Sequence, residues 1–333
     1  MASLFGVRRR EPQIIRPASP TPHGFLNLSD IDGHRAKSLH ACTLLVYRSD
    51  PEKAVDPATV VRDGLARTLV SFYPLAGRLR EAANQKLEVE CNGEGVFFAE
   101  ADADFSVEEI ADEPHNSAPY YGELIHNVPG SEGIIGCPLL LVQVTRLKCG
   151  GFTVGVRASH VLMDGSGKGQ FLKASAEMAR GVAAPSVLPV WKRELLSARD
   201  LPCFTHKGTD SDRKEHKEQG SGIKGERKGL GHMISSSFIF GAPELSSLRG
   251  SLPEGLRNCS TFELLASFLW RSRVIAFDLD TEDEVRLTFT VDIRRKVNPA
   301  LPEGYYGNAV VSTFAVTTAG QLREILWNMP CPW

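Results

Sequence analysis

Two alternating apolar runs joined by a glycine turn constrain this chain more than any other feature. Leu140, Val142 and Val144 alternate, Lys148–Gly151 supplies a turn, and Phe152, Val154, Val156 and Ala158 alternate after it. Successive side chains on a strand point to opposite faces. The pattern therefore predicts an antiparallel hairpin with one face buried. Its second strand runs directly into Ser159-His160-Val161-Leu162-Met163-Asp164-Gly165, with Gly167 and Gly169 close behind. A glycine-rich loop is expected there, and then a helix over 170–180 with Phe171, Leu172, Ala176 and Ala179 on its apolar side.

The rest of the chain mixes both periods. Ile14–His23, with Pro17, Pro20 and Pro22, reads as an extended lead-in, and Cys42–Tyr47 as a strand. Asp56 before Pro57 has the form of a helix N-cap, and Val61, Leu65, Leu69 and Phe72 recur at helical spacing until Pro74. Leu87, Val89 and Cys91, the Asn92–Gly93 turn, then Val96 and Phe98 predict a second hairpin. Further on, Ser236–Phe240 and Leu287–Val291 read as strands. Ser260-Thr261-Phe262-Glu263 is a capping box opening a helix through Arg273, with Phe262 and Trp270 as core residues. The class is α/β (α+β). Residues 207–228 are dense in charge and glycine and cannot bury enough apolar surface to order themselves. The division expected is a first domain over 1–200, a charged linker over 201–232 and a second domain over 233–333.

Net charge near −2 gives no reason to expect nucleic acid or an anionic membrane as partner, and Arg8–Arg10 reads as a solvated terminus. No apolar run approaches the roughly 18 residues of a membrane span, and Met1–Val7 is too short for a signal core. A cytoplasmic monomer is expected. Seven scattered cysteines without a C-x-x-C make a poor disulfide framework, so reduced, mostly buried thiols are expected, and no metal site.

His160 is the candidate for the chemistry. A rigid strand presents it beside a glycine-containing loop, and an imidazole accepts and returns a proton near neutral pH. From spacing alone a lone histidine at a strand end is more often a satisfied structural residue. Asp164, four residues on, is placed to hold the loop or meet a cation. Gly165-Ser166-Gly167-Lys168-Gly169 lacks phosphate-loop spacing. Ser159 has no nucleophile elbow, and adjacent strand residues face apart.

Context adds a resemblance. His160-Val161-Leu162-Met163-Asp164-Gly165 is similar to the H-x-x-x-D-G signature of the BAHD acyltransferases. In register with it stand Pro20-Thr21-Pro22 and Leu28-Ser29-Asp30-Ile31-Asp32, Tyr73-Pro74-Leu75-Ala76-Gly77-Arg78-Leu79, and Cys91-Asn92-Gly93-Glu94-Gly95-Val96. Ser260 through Arg271, Val291-Asp292-Ile293-Arg294 and Gly304-Tyr305-Tyr306-Gly307-Asn308 follow. The resemblance runs from about Pro12 to Gln321 and is closest to the subgroup acting on benzyl, other small and taxane-type alcohols. It implies the two-domain chloramphenicol acetyltransferase-like fold, with His160 in a channel between the halves. It also implies acyl-CoA as co-substrate, a small alcohol or amine as acceptor, and no permanently bound cofactor. His160 would be the general base. Asp164 would be structural and orienting, with Gly165 supporting the motif and Arg294 as the carboxylate's candidate partner. Tyr306 and Asn308 would line the channel or pack in the core.

The family's second signature, D-F-G-W-G, is not in the chain, and the match frays after Gln321. The expectation is a chain shorter than a full-length member, poorly soluble and at most weakly active by itself, because a sheet without its neighbours exposes edges and apolar faces. The alternative function is a catalytically silent binding or regulatory fragment.

Overall fold

The computed structural model describes residues 6–34, 40–50, 52, 55–82, 86–111, 121–125, 127, 133, 135–198 and 238–324. By contacts they form two compact units: Met1–Ser236 with Pro299–Ala309, and Ser237–Asn298 with Val310–Trp333. The 299–309 segment, which a single division near 201–232 leaves in the second half, thus belongs to the first unit. It does so because Tyr306 and Asn308 are buried there. The linker over 201–232 lies outside the described residues.

Unit 1 runs β1 (Arg8–Arg9), β2 (Gln13–Ile15), β3 (Gly24–Asn27), α1 (Asp30–His34), β4 (His40–Tyr47), α2 (Pro57–Ser71), β5 (Arg78–Glu81), β6 (Leu87–Cys91), β7 (Val96–Ala103), α3 (Val107–Ala111), α4 (Tyr121–Leu124), β8 (Leu140–Leu147), β9 (Phe152–Ser159) and α5 (Gly165–Ala179). Its main sheet is mixed, in the order β1-β7-β8-β9-β4, with β2 also on β7. β7 and β8 are parallel, and β8–β9 is the expected antiparallel hairpin, with Val142 opposite Val156 and Val144 opposite Val154. Both of its faces are buried, not one. Val142, Val144, Val154 and Val156 meet α2 and α5 through Leu65, Leu69 and Phe171. On the other side Thr145, Thr153 and Gln143 are enclosed too.

The Leu87–Phe98 hairpin does not form. β6 joins β3 and β5 in a separate three-stranded sheet, while β7 joins the main one. The chain changes sheets at Gly95, whose φ is +98°. A Cβ there would stand 2.4 Å from the Ile15 carbonyl oxygen, so only glycine permits the crossing.

α2 begins as its sequence dictates. Asp56 accepts the Thr59 amide at 3.1 Å, Pro57 opens the helix, and a 3-10 turn over Tyr73–Ala76 follows its end. The glycine-rich stretch after His160 is no loop: it is the first turn of α5, capped by Asp164.

Unit 2 contains α6 (Ala242–Gly250), α7 (Thr261–Ala276), β10 (Glu284–Asp292), β11 (Val310–Thr318) and α8 (Ala319–Glu324). The capping box is present: Ser260 Oγ accepts the Glu263 amide at 3.2 Å, and Glu263 accepts the Ser260 amide at 2.6 Å. β10 and β11 pair antiparallel, with Trp270, Val274, Val285 and Ala315 as the core. Phe262 is exposed, its ring set edge-on to Phe289. Phe314 and Val316 are also exposed. Residues 238–240 carry no strand pairing, and 236–237 lie outside the described residues. No helix among the described residues is long and apolar enough to cross a membrane.

Among the described residues five cysteines, Cys42, Cys91, Cys137, Cys149 and Cys259, form no disulfide. Of these Cys91 alone is buried, Cys42 and Cys149 are exposed, and Cys203 and Cys331 lie outside the described residues. The alternation that hides Val142 and Val144 does not extend to Cys42, in the edge strand β4, or to Cys149, in the turn after β8.

Candidate active site

β9 ends at Ser159, whose amide donates to the Leu139 carbonyl at 2.8 Å, and His160 is the first residue beyond the ladder. The chain then turns, with the Leu162 amide donating to the Ser159 carbonyl at 3.2 Å. Val161, Leu162 and Met163 are driven into the core, each 3% exposed or less. Those three apolar anchors leave His160 half-buried at the rim. Its Nδ1 is enclosed and has no hydrogen-bond partner among the described residues.

Leaving the sheet strips three consecutive carbonyls of ladder partners, and buried carbonyls need replacements. Asn308 and Arg193 supply them. The Asn308 side-chain amide donates to the His160 and Val161 carbonyls at 2.8 and 3.3 Å, and Arg193 donates to the Leu162 carbonyl at 2.7 Å. Both donors are held by Asp32, which is fully buried. Its carboxylate accepts from Arg193 at 3.0 and 3.1 Å, from the Asn308 amide and side chain at 3.1 and 2.8 Å, and from Ser29 amide and hydroxyl at 3.0 and 2.7 Å.

Asp164 is 2% exposed, and both of its oxygens accept backbone amides. One takes Gly167 at 3.0 Å, closing the cap of α5, and the other takes Ala309 at 2.9 Å. Gly165 is the exposed first residue of that helix. Gly167 is glycine because a Cβ would stand 2.0 Å from the Tyr306 carbonyl oxygen.

Tyr306 is 2% exposed, with Phe72 and Trp191 edge-on at 5.2 and 5.9 Å. Burial pushes its phenol far above the ordinary value, and pushes that of Tyr305 up to about 12. Tyr306 and Asn308 therefore belong to the packed wall behind the histidine. Arg294 belongs to unit 2, where it donates to Asp292 at 3.0 Å. A cavity of about 330 Å³ in unit 1 lies against Phe97, Leu141, Gly155 and Arg157; neither His160 nor Asp164 lines it.

Sequence reasoning names His160, Asp164 and Asn308 but misses Arg193 and the role of Asp32. Asp32 stands in the quoted Leu-Ser-Asp-Ile-Asp stretch. Arg193 has no periodic or motif signal at all, and only its tertiary partners single it out.

The Transferase family matches residues 5–327. Benzyl alcohol O-benzoyltransferase of Petunia hybrida is 47% identical over 96% of this chain and 68% of its own length. Vinorine synthase superposes with a TM-score of 0.71 over 96% of this chain and 74% of its own, at 22% identity. F. graminearum TRI101, complexed with ethyl coenzyme A, superposes at 0.65 over 92% of this chain and 72% of its own, at 16% identity. The chain is thus a member of the Transferase family, that of the BAHD acyltransferases.

Proposed function

We propose that this chain transfers an acyl group from an acyl-CoA thioester to the hydroxyl of a small alcohol, with His160 as general base. The observation that carries this is the clamped His160 turn, in which three backbone carbonyls in a row are held by buried side chains while the imidazole itself stays at the rim. With Nδ1 enclosed, Nε2 is the nitrogen that meets substrate.

Nε2 takes the proton as the alcohol oxygen attacks the thioester carbonyl carbon. The tetrahedral intermediate collapses, the C–S bond breaks, and the imidazolium returns the proton to the departing thiolate. No acyl-enzyme forms. Positioned base catalysis supplies roughly 10²- to 10⁴-fold, and holding the two substrates together supplies a larger share. Asp164 takes no part in the proton transfer: its oxygens are committed to two amides. The petunia relative, a benzyl alcohol O-benzoyltransferase, makes a benzoyl donor and benzyl alcohol the first pair to try, and the ethyl coenzyme A bound in TRI101 supports a CoA thioester as the form of that donor.

The test is thiol release from benzoyl-CoA and acetyl-CoA with benzyl alcohol and aliphatic alcohols, comparing the native chain with His160→Ala. Loss of release in the variant alone supports the assignment. Equal background rates in both would instead favour a silent binding protein.

A further inference from the structure

We propose that Arg193 and Asp32 are positioning residues for His160, a buried ion pair that sets the backbone from which the imidazole projects. The proposal rests on the function given above. Arg193 is 1% exposed and its guanidinium uses two different nitrogens: one meets both oxygens of Asp32, the other meets the Leu162 carbonyl. A planar fork spans those two acceptors at once, and an ammonium does not. Asp32 passes the same constraint through Asn308 to the carbonyls of His160 and Val161. One carboxylate therefore fixes, through two donors, every backbone acceptor from His160 to Leu162.

Two further observations point the same way. Lys192, immediately before Arg193, has φ of +31°, a left-handed conformation uncommon for a side-chain-bearing residue. That strain turns Arg193 inward. The guanidinium then lies 4.3 Å from the Trp191 ring centroid and 5.0 Å from that of Tyr306, an enclosure that fixes its plane. Stability alone does not account for the arrangement. Desolvating two charges offsets most of their attraction, and apolar residues of the same volume commonly serve as well. What the pair adds over an apolar filling is directional hydrogen bonds to the backbone of the histidine turn.

Arg193→Lys and Asp32→Asn test this in the full chain. Each is measured for circular dichroism and melting, for kcat and KM, and for the ¹⁵N imidazole signals of His160, assigned by their absence in His160→Ala. The expected result is a folded Arg193→Lys protein with kcat about tenfold or more lower, KM for acyl-CoA within about twofold, and displaced His160 signals. Unchanged kcat and unchanged His160 signals in a folded variant would overturn the proposal. So would failure of both variants to fold, which would make the pair a folding element only. If the native chain itself turns over no acyl-CoA, the acyl-transfer function fails and the ¹⁵N comparison alone decides: displaced signals uphold the positioning role, unmoved signals reject it.

Discussion

Asp164 accepts the backbone amide of Ala309 at 2.9 Å while its other oxygen accepts that of Gly167 at 3.0 Å. One carboxylate thereby ties the first turn of the helix after His160 to a segment 145 residues downstream. A carboxyl group is suited to this, since it has two oxygens that accept at once.

Asp164→Asn turns one of those contacts into a meeting of two N–H groups. We expect a loss of about 1–3 kcal/mol, read as a lower denaturant midpoint. Whatever fraction remains folded should keep its turnover per active site. A normally stable but inactive variant would place Asp164 in the chemistry instead.

Gly167 and Gly169 share α5 but differ in surroundings. Gly167→Ala must displace the Tyr306 carbonyl, and we expect a cost of about 2 kcal/mol or more. Nothing lies within 4 Å of a Cβ at Gly169, where Ala should stabilise by about 0.5–1 kcal/mol. Melting curves of the two variants in opposite directions would confirm the contrast.

Asp56 should make α2 acid-sensitive. Hydrogen bonds from Arg146, and then from Thr59, hold its carboxyl well below the ordinary 3.8. The folded-state value being the lower one, this contribution is fully present above pH 3.8 and fades as the pH falls toward the folded value. In melting profiles from pH 6 down to pH 2, the advantage of the native chain over Asp56→Asn should shrink across that window. Asparagine still caps, so the variant isolates the charge.

Alkylation of the native chain followed by peptide mass mapping should modify the exposed Cys42 and Cys149 well before Cys91. Cys91 is buried, and burial pushes its thiol up to about 11, leaving little thiolate. Equal rates at all three would contradict the packing around β6.

Ser260→Ala removes the hydroxyl that accepts the Glu263 amide and should cost about 1 kcal/mol. Faster hydrogen exchange in the first turn of α7 is the local readout.

What the sequence determined by itself were the features written in short-range periodicity and capping chemistry. The β8–β9 hairpin, the start of α2 at Asp56–Pro57, the Ser260–Glu263 box and the place of His160 at a strand end all follow from neighbours within a few residues. Tertiary structure decided the rest. Alternation at Leu87–Phe98 marks two strands but not their sheet, which hinges on a backbone approach at Gly95 that no local pattern records. Glycines at 165, 167 and 169 suggest a loop, yet a cap from Asp164 and the nearness of Tyr306 make them helix. Phe262 has the spacing of a core residue and is exposed, since spacing alone does not say what packs against it. The polar setting of His160 joins Asp32 to Asn308 across 276 residues and to Arg193 across 161. Hydrogen bonds of that reach exist only once the chain has closed on itself, because the partners share no period, motif or local spacing to announce them.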